Sequence, residues 1–265
     1  MVPLVLISAA TTLYALGLRG RVRARAWWFA AGMLTLVVAL ASPVAAYDDR
    51  LLWVHMVQHV LLLTVAPPLI LLGRPGTTSW RAFPLGFRRR TARAVAHGRG
   101  FAPVRATVRV LTAPPVALVL FVGTMAVWHL PALYDATLRA AGIHELEHLL
   151  FFGTGLVFWS RLVDSPPLWS RLAVPVRALY ACLAMVACWI LALALGLASS
   201  PFYPGYAQLA SRPGGISALA DQHLAAGVMW VPGSIPFVLA LMLFAYRWLE
   251  DGEERRAGSA IEAVQ

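Results

Sequence analysis

Seven apolar runs dominate this chain: 3–18, 27–45, 52–72, 113–130, 143–163, 173–198 and 218–246. Each approaches the roughly 20 apolar residues that an α-helix needs to cross the hydrocarbon of a bilayer. In lipid the backbone must satisfy its own hydrogen bonds, so runs of this length read as helices. With 60% hydrophobic and 13% charged residues, and a mean hydropathy of +0.70, the composition lies far outside that of a soluble domain. The expected fold is therefore all-α: a polytopic membrane protein, one seven-transmembrane-helix bundle over 1–265. Within it, 73–112 reads as a basic loop and 250–265 as a flexible polar tail.

The net charge of +10 is carried entirely by arginine among the basic residues, and its placement predicts orientation. Arg19, Arg21, Arg23 and Arg25 follow the first run, a dense set lies between Arg74 and Arg109, and Arg161, Arg171, Arg177, Arg247, Arg255 and Arg256 follow later runs. Only Arg50, Arg139 and Arg212 fall in the opposite loops. Positively charged loops stay in the cytoplasm, so the N-terminus is expected outside and the C-terminus inside, in a bacterial cell membrane. The first run is read as a retained helix, because its charges follow the apolar stretch. A basic face against anionic lipid accounts for the charge without a nucleic-acid partner. The segment 87–110 has the mixed composition of a helix lying along the membrane surface, and His97 within it reads as a solvated loop residue.

On this topology six of the seven histidines fall on one side. His55 and His59 open the third run, His129 closes the fourth, His144 and His148 open the fifth, and His223 lies near the start of the seventh. The pairs His55/His59 and His144/His148 are spaced i, i+4, which puts both imidazoles on one helix face about a turn apart. Ionisable groups at membrane depth usually face a bundle interior or wet cavity, so these six are candidate metal ligands. Glu147, Asp221 and Gln58 are candidate auxiliary ligands, or acceptors that orient an imidazole. Met56, Met125 and Met229 are candidate thioether donors at the same level. Cys182 and Cys188 are spaced as packing residues, not as a C-x-x-C pair. Trp53, Trp128, Tyr134, Tyr203, Tyr206 and Trp230 read mainly as an interfacial aromatic belt.

The stretch His144-Glu-Leu-Glu-His148 satisfies two hydrolase patterns, H-E-x-x-H with Glu145 as base and H-x-x-E-H with Glu147. An intramembrane zinc hydrolase is thus one alternative. A b-type haem protein is another, although two histidines at i, i+4 cannot both be axial ligands of one iron. Imidazole suits copper, zinc and iron alike, so ligand chemistry leaves the metal open. A metal-free assembly scaffold also remains. Pro67 and Pro68 in the third run, and Pro232, Gly233 and Pro236 in the seventh, are expected to interrupt or kink their helices.

Four stretches carry a family resemblance: His55-Met-Val-Gln-His59 running into Ala66-Pro-Pro-Leu-Ile-Leu-Leu-Gly73, Trp128-His-Leu-Pro-Ala-Leu-Tyr-Asp135, His144-Glu-Leu-Glu-His148 running to Phe158-Trp159, and Asp221-Gln-His-Leu-Ala-Ala-Gly-Val-Met-Trp-Val-Pro-Gly233. Together they resemble the CtaG family of cytochrome c oxidase assembly factors, over the third to seventh runs in order. The resemblance implies a non-enzymatic role in maturing a haem-copper respiratory oxidase, by binding copper at the extracytoplasmic side and handing it over. The implied partners are oxidase subunits, an extracytoplasmic copper donor and membrane lipids. It also implies that the six histidines, with Glu147 and Asp221 beside them, are the functional positions, and that the residue at Glu145 is less fixed, which weakens the H-E-x-x-H reading.

Overall fold

The computed structural model describes residues 2–20 and 24–262, with side chains described for 3–20 and 24–252. Arg21 and Arg23, and the side chains of Arg255 and Arg256, lie outside the described residues. Among those described, the protein is mostly helical and has no strand beyond one isolated bridge, Ser165 to Leu168. Four helices are long and apolar enough to cross a membrane: Ala24–Tyr47, Leu52–Leu72, Val174–Gly196 and Ala218–Gly252. A fifth is added if Arg99–Leu111 and Pro114–Trp128, which meet at 71°, count as one bent span.

The other expected spans form helices that fall short for physical reasons. Val2–Leu18 has 17 residues, and Pro114–Trp128 alone has 15. Ala141–Trp159 has the length, at 19 residues, but carries His144, Glu145, Glu147 and His148 in its first turns, which lower its hydropathy. The basic segment is not a simple loop. It folds into Pro75–Trp80, Leu85–His97 and Ala102–Leu111, with Gly98 breaking the surface helix expected over 87–110. His97 ends the second of these and is exposed. The final helix continues in its backbone to Glu262, into the segment expected to be a flexible tail.

The prolines do not interrupt their helices. The last helix runs through Pro232 and Pro236, and the Leu52–Leu72 span runs through Pro67 and Pro68 by widening to a π-helix over Leu61–Val65. Proline has no N–H, so Pro67 leaves the Leu63 carbonyl without its normal helical donor. The Trp159 indole Nε1–H fills that place, donating to the Leu63 oxygen at 3.1 Å. Gly155, one turn earlier on the same helix, sits against the same group: a Cβ there would meet the Leu63 oxygen at 2.8 Å and Pro67 Cγ at 3.0 Å. Proline, glycine and tryptophan thus dock Ala141–Trp159 onto Leu52–Leu72 at backbone distance. Below the docking point Phe121, Phe158, Trp159 and Phe237 pack into an aromatic layer in the core.

A second cross-helix bond sets the start of the Leu52–Leu72 span. Leu51, at its N-cap, has no capping side chain. Asp221, fully buried near the start of the last helix, supplies one: its Oδ2 accepts from the Leu52 N–H at 2.9 Å and its Oδ1 from the Trp53 N–H at 3.0 Å. Orphan N–H groups at a helix start favour such an anion.

Asp221→Ala is expected to cost about 1–2 kcal/mol of stability, read as a lowered thermal unfolding midpoint in detergent, with Asp221→Asn milder. Trp159→Phe, which leaves the Leu63 carbonyl unpaired, is expected to cost about 1–3 kcal/mol by the same measurement.

Candidate metal centre

The two docking bonds bring the histidine-bearing ends of the helices together. His55 and His59 lie on the first turns of Leu52–Leu72, His144 and His148 on the first turns of Ala141–Trp159, and His129 just past the end of Pro114–Trp128. Between them stands Glu147, whose side chain is 0% exposed. Its Oε2 is 3.3 Å from His55 Nε2 and its Oε1 is 3.4 Å from His59 Nε2. The two Nε2 atoms are themselves 2.7 Å apart. At that distance two lone pairs repel, so one of the nitrogens donates a proton to the other.

One donor atom each from His55, His144, Glu147 and His148 lies within 4.8 Å of all the others. Metal–nitrogen and metal–oxygen bonds of about 2.0–2.1 Å in a tetrahedral site put neighbouring donors about 3.3 Å apart. The His55–Glu147 edge has that length, and the set as a whole is somewhat wider. Nε2 of His144 and Nε2 of His148 are buried without a hydrogen-bond partner. The nearest acid to the former is Asp48, with Oδ2 at 3.9 Å. Leaving a buried polar atom unsatisfied costs about 1–3 kcal/mol. Two such nitrogens beside a buried carboxylate are the donor chemistry of a metal site, and imidazole with carboxylate fits a divalent or borderline ion.

The surrounding groups hold the rings in place. Phe151 stacks on His59 at a centroid distance of 4.1 Å. Tyr134 lies 4.9 Å from the His55 ring. The Tyr206 hydroxyl donates to the Asp48 carbonyl and stands 3.4 Å from His55 Nδ1. The Tyr203 hydroxyl donates to the His129 carbonyl at 3.2 Å. These three tyrosines belong to the segments between the spans, and burial pushes their hydroxyls upward, so they stay protonated.

Five of the six expected histidines therefore meet. His223 does not: it is exposed, and its Nε2–H donates to the Ala198 carbonyl at 3.1 Å. Asp221 faces the helix start described above, not the imidazoles. Gln58 turns to a neighbouring helix, donating from Nε2 to the Ala39 carbonyl at 2.9 Å. Met56 does reach the site, with Sδ 3.3 Å from His129 Nε2. Met125 and Met229 line a small cavity beside His59 and His129. Glu145 is exposed, while Glu147 lies at the centre. Of the expected aromatic belt, Tyr134, Tyr203, Tyr206 and Trp128 are buried and Trp230 is exposed. The buried tyrosines wall the site because the short helices Pro131–Arg139 and Pro204–Ala207 fold back over it. Tyr134 had a sequence signal, five residues beyond His129 on a proline-started helix. Tyr206 and Asp48 had none.

The model of the cytochrome c oxidase caa3 assembly factor family, Caa3_CtaG, matches residues 10–251. Uncharacterized proteins of Mycobacterium bovis and Mycobacterium tuberculosis are each 28% identical over 230 residues, covering 86% of this chain and 34% of theirs. One of Mycobacterium leprae is 25% identical over 227 residues, covering 82% of this chain and 33% of its own. The chain spans about a third of the length of these relatives. No solved structure matches it. The chain belongs to the family of cytochrome c oxidase caa3 assembly factors.

A site of this build predicts a clear division among variants. In elemental analysis of detergent-purified protein, His148→Ala is expected to lose bound metal, with affinity down about tenfold or more. His223→Ala and Glu145→Gln are expected to retain it.

Proposed function

We propose that this member of the caa3 oxidase assembly family handles copper as cargo, holding it at the cluster of His55, His59, His144, Glu147 and His148 and handing it to an oxidase subunit. The observation that carries this reading is the convergence of four donor atoms within 4.8 Å at a position where two imidazole nitrogens have no hydrogen-bond partner. Imidazole binds copper well and exchanges it readily between sites of similar ligand type, as a carrier requires. Carrier function does not need a reaction, so the protein is read as a non-enzyme. The runner-up is a hydrolase built on His144, Glu147 and His148. Its favouring observation is the buried carboxylate beside two histidines, in the H-x-x-E-H order.

The proposed topology has seven membrane-embedded helices, with the N-terminus outside, the C-terminus in the cytoplasm and the cluster at the extracytoplasmic end, in a bacterial cell membrane. Its support is the separation of charge along the helices. The histidine-bearing ends lie near residues 52, 129 and 141, whereas Arg74, Arg161 and Arg247 follow the opposite ends. The proposed partners are subunits of the oxidase, a copper donor outside the membrane, and lipid against the arginine-rich face. Met56 and His129 lie beside the cluster, with Sδ 3.3 Å from Nε2.

Binding requires neutral imidazoles, so copper retention is expected to fall on acidification and to recover on return to neutral pH. The deciding experiment compares the copper content of the oxidase in cells carrying the wild-type chain or His59→Ala/His148→Ala. The expected result is an oxidase deficient in copper and activity with the variant, partly restored by excess external copper. An oxidase fully loaded beside a well-expressed double variant refutes the copper reading and favours a scaffold.

A further inference from the structure

His129 stands apart from the carboxylate-centred cluster. Its Nδ1 is 2.7 Å from the Met125 carbonyl. A carbonyl only accepts, so Nδ1 carries the proton and a neutral ring leaves the lone pair on Nε2. That lone pair faces Met56 Sδ at 3.3 Å, and a thioether has no proton to give. Two acceptors thus point at each other inside the protein, with Met56 0% and His129 6% exposed. Bonds of about 2.0 Å to nitrogen and 2.3 Å to sulfur at a tetrahedral ion set the two donors about 3.5 Å apart, close to what is found.

Beside this pair lies a cavity of about 30 Å³ lined by His59, His129, Met125, Cys188 and Met229 among others. About 10–15 Å³ of such space accommodates one water-sized occupant. The lining holds sulfur and imidazole and no carboxylate. His59 belongs to both places: its Nε2 meets His55 and Glu147, while its Nδ1 is buried without a hydrogen-bond partner and its ring lines the cavity.

We infer that His129 Nε2 and Met56 Sδ form a second metal position, selective for a soft monovalent cation such as Cu(I), separate from the His55–His144–Glu147–His148 set and joined to it through His59. Thioether donors and the absence of a carboxylate select a soft monovalent ion, whereas Glu147 selects a harder divalent one. The inference deepens the copper-handling reading and rests on it, in that it gives the cargo two positions of different softness. No change of oxidation state is required; each position selects its ion by donor type.

The test uses Ag(I), a redox-silent soft monovalent ion, and Zn(II), with purified full-length protein in which methionine is replaced by selenomethionine. X-ray absorption at the silver edge is expected to show a selenium neighbour in the wild type. Met56→Leu, a near-isosteric change, is expected to remove that neighbour and lower silver affinity about tenfold or more while zinc binding persists, which also reports an intact fold. His129→Gln is expected to remove the same neighbour, and serves if Met56→Leu does not fold. A silver–selenium neighbour absent from the wild type, or surviving both substitutions, overturns the second position even if zinc binds normally. Failure of wild-type protein to bind zinc or copper at the imidazole–carboxylate set overturns the preceding functional reading instead, and leaves the silver result to decide this one.

Discussion

A carboxylate with no exposure to solvent sets the terms for one end of this protein. A buried anion is tolerated only where cations or hydrogen-bond donors surround it. Glu147 is met by His55 and His59 on one helix and shares its own helix with His144 and His148. The short His55–His59 contact holds a proton next to the carboxylate.

That arrangement depends on a defect in the neighbouring span. Two consecutive prolines widen Leu52–Leu72 into a π-helical turn directly after the histidine pair. The carbonyl they release is taken by Trp159 across a contact that only Gly155 permits. Helix-to-helix distance, and with it the separation of Glu147 from His55 and His59, follows from that backbone contact. At the other end Asp221 ties the first turn of the same span to the last helix. The site is therefore held by backbone groups on both sides, which fixes its geometry.

The donors around the centre are graded. Oxygen and imidazole gather at Glu147, and sulfur and imidazole gather at His129, with His59 between them. Tyr134, Tyr203 and Tyr206 close this region with protonated hydroxyls that add no charge, those of Tyr203 and Tyr206 donating to backbone carbonyls. Harder and softer donors thus lie within a few ångströms of each other.

Helical class and apolar character were legible in the sequence, since run length and composition answer directly to the needs of a backbone in lipid. The i, i+4 pairs were legible for the same kind of reason: helix periodicity places His55 with His59, and His144 with His148, on shared faces whatever the rest of the chain does. Family membership was legible in four short stretches. Which polar residues face one another was not. Asp221, Gln58 and His223 had the same claim on the site as Glu147 by depth and residue type, yet the first caps a helix, the second bonds to a neighbouring helix and the third is exposed. Rotation of each helix about its axis decides that, and it is set by contacts remote in sequence, such as Trp159 with Leu63 and Asp221 with Leu52. By itself the sequence determined helices, their apolar runs and the local pairing of histidines, because those depend on neighbours within a few turns. Only the tertiary structure decided which four histidines meet around one carboxylate and set His129 against Met56, because that depends on how separate helices turn toward each other.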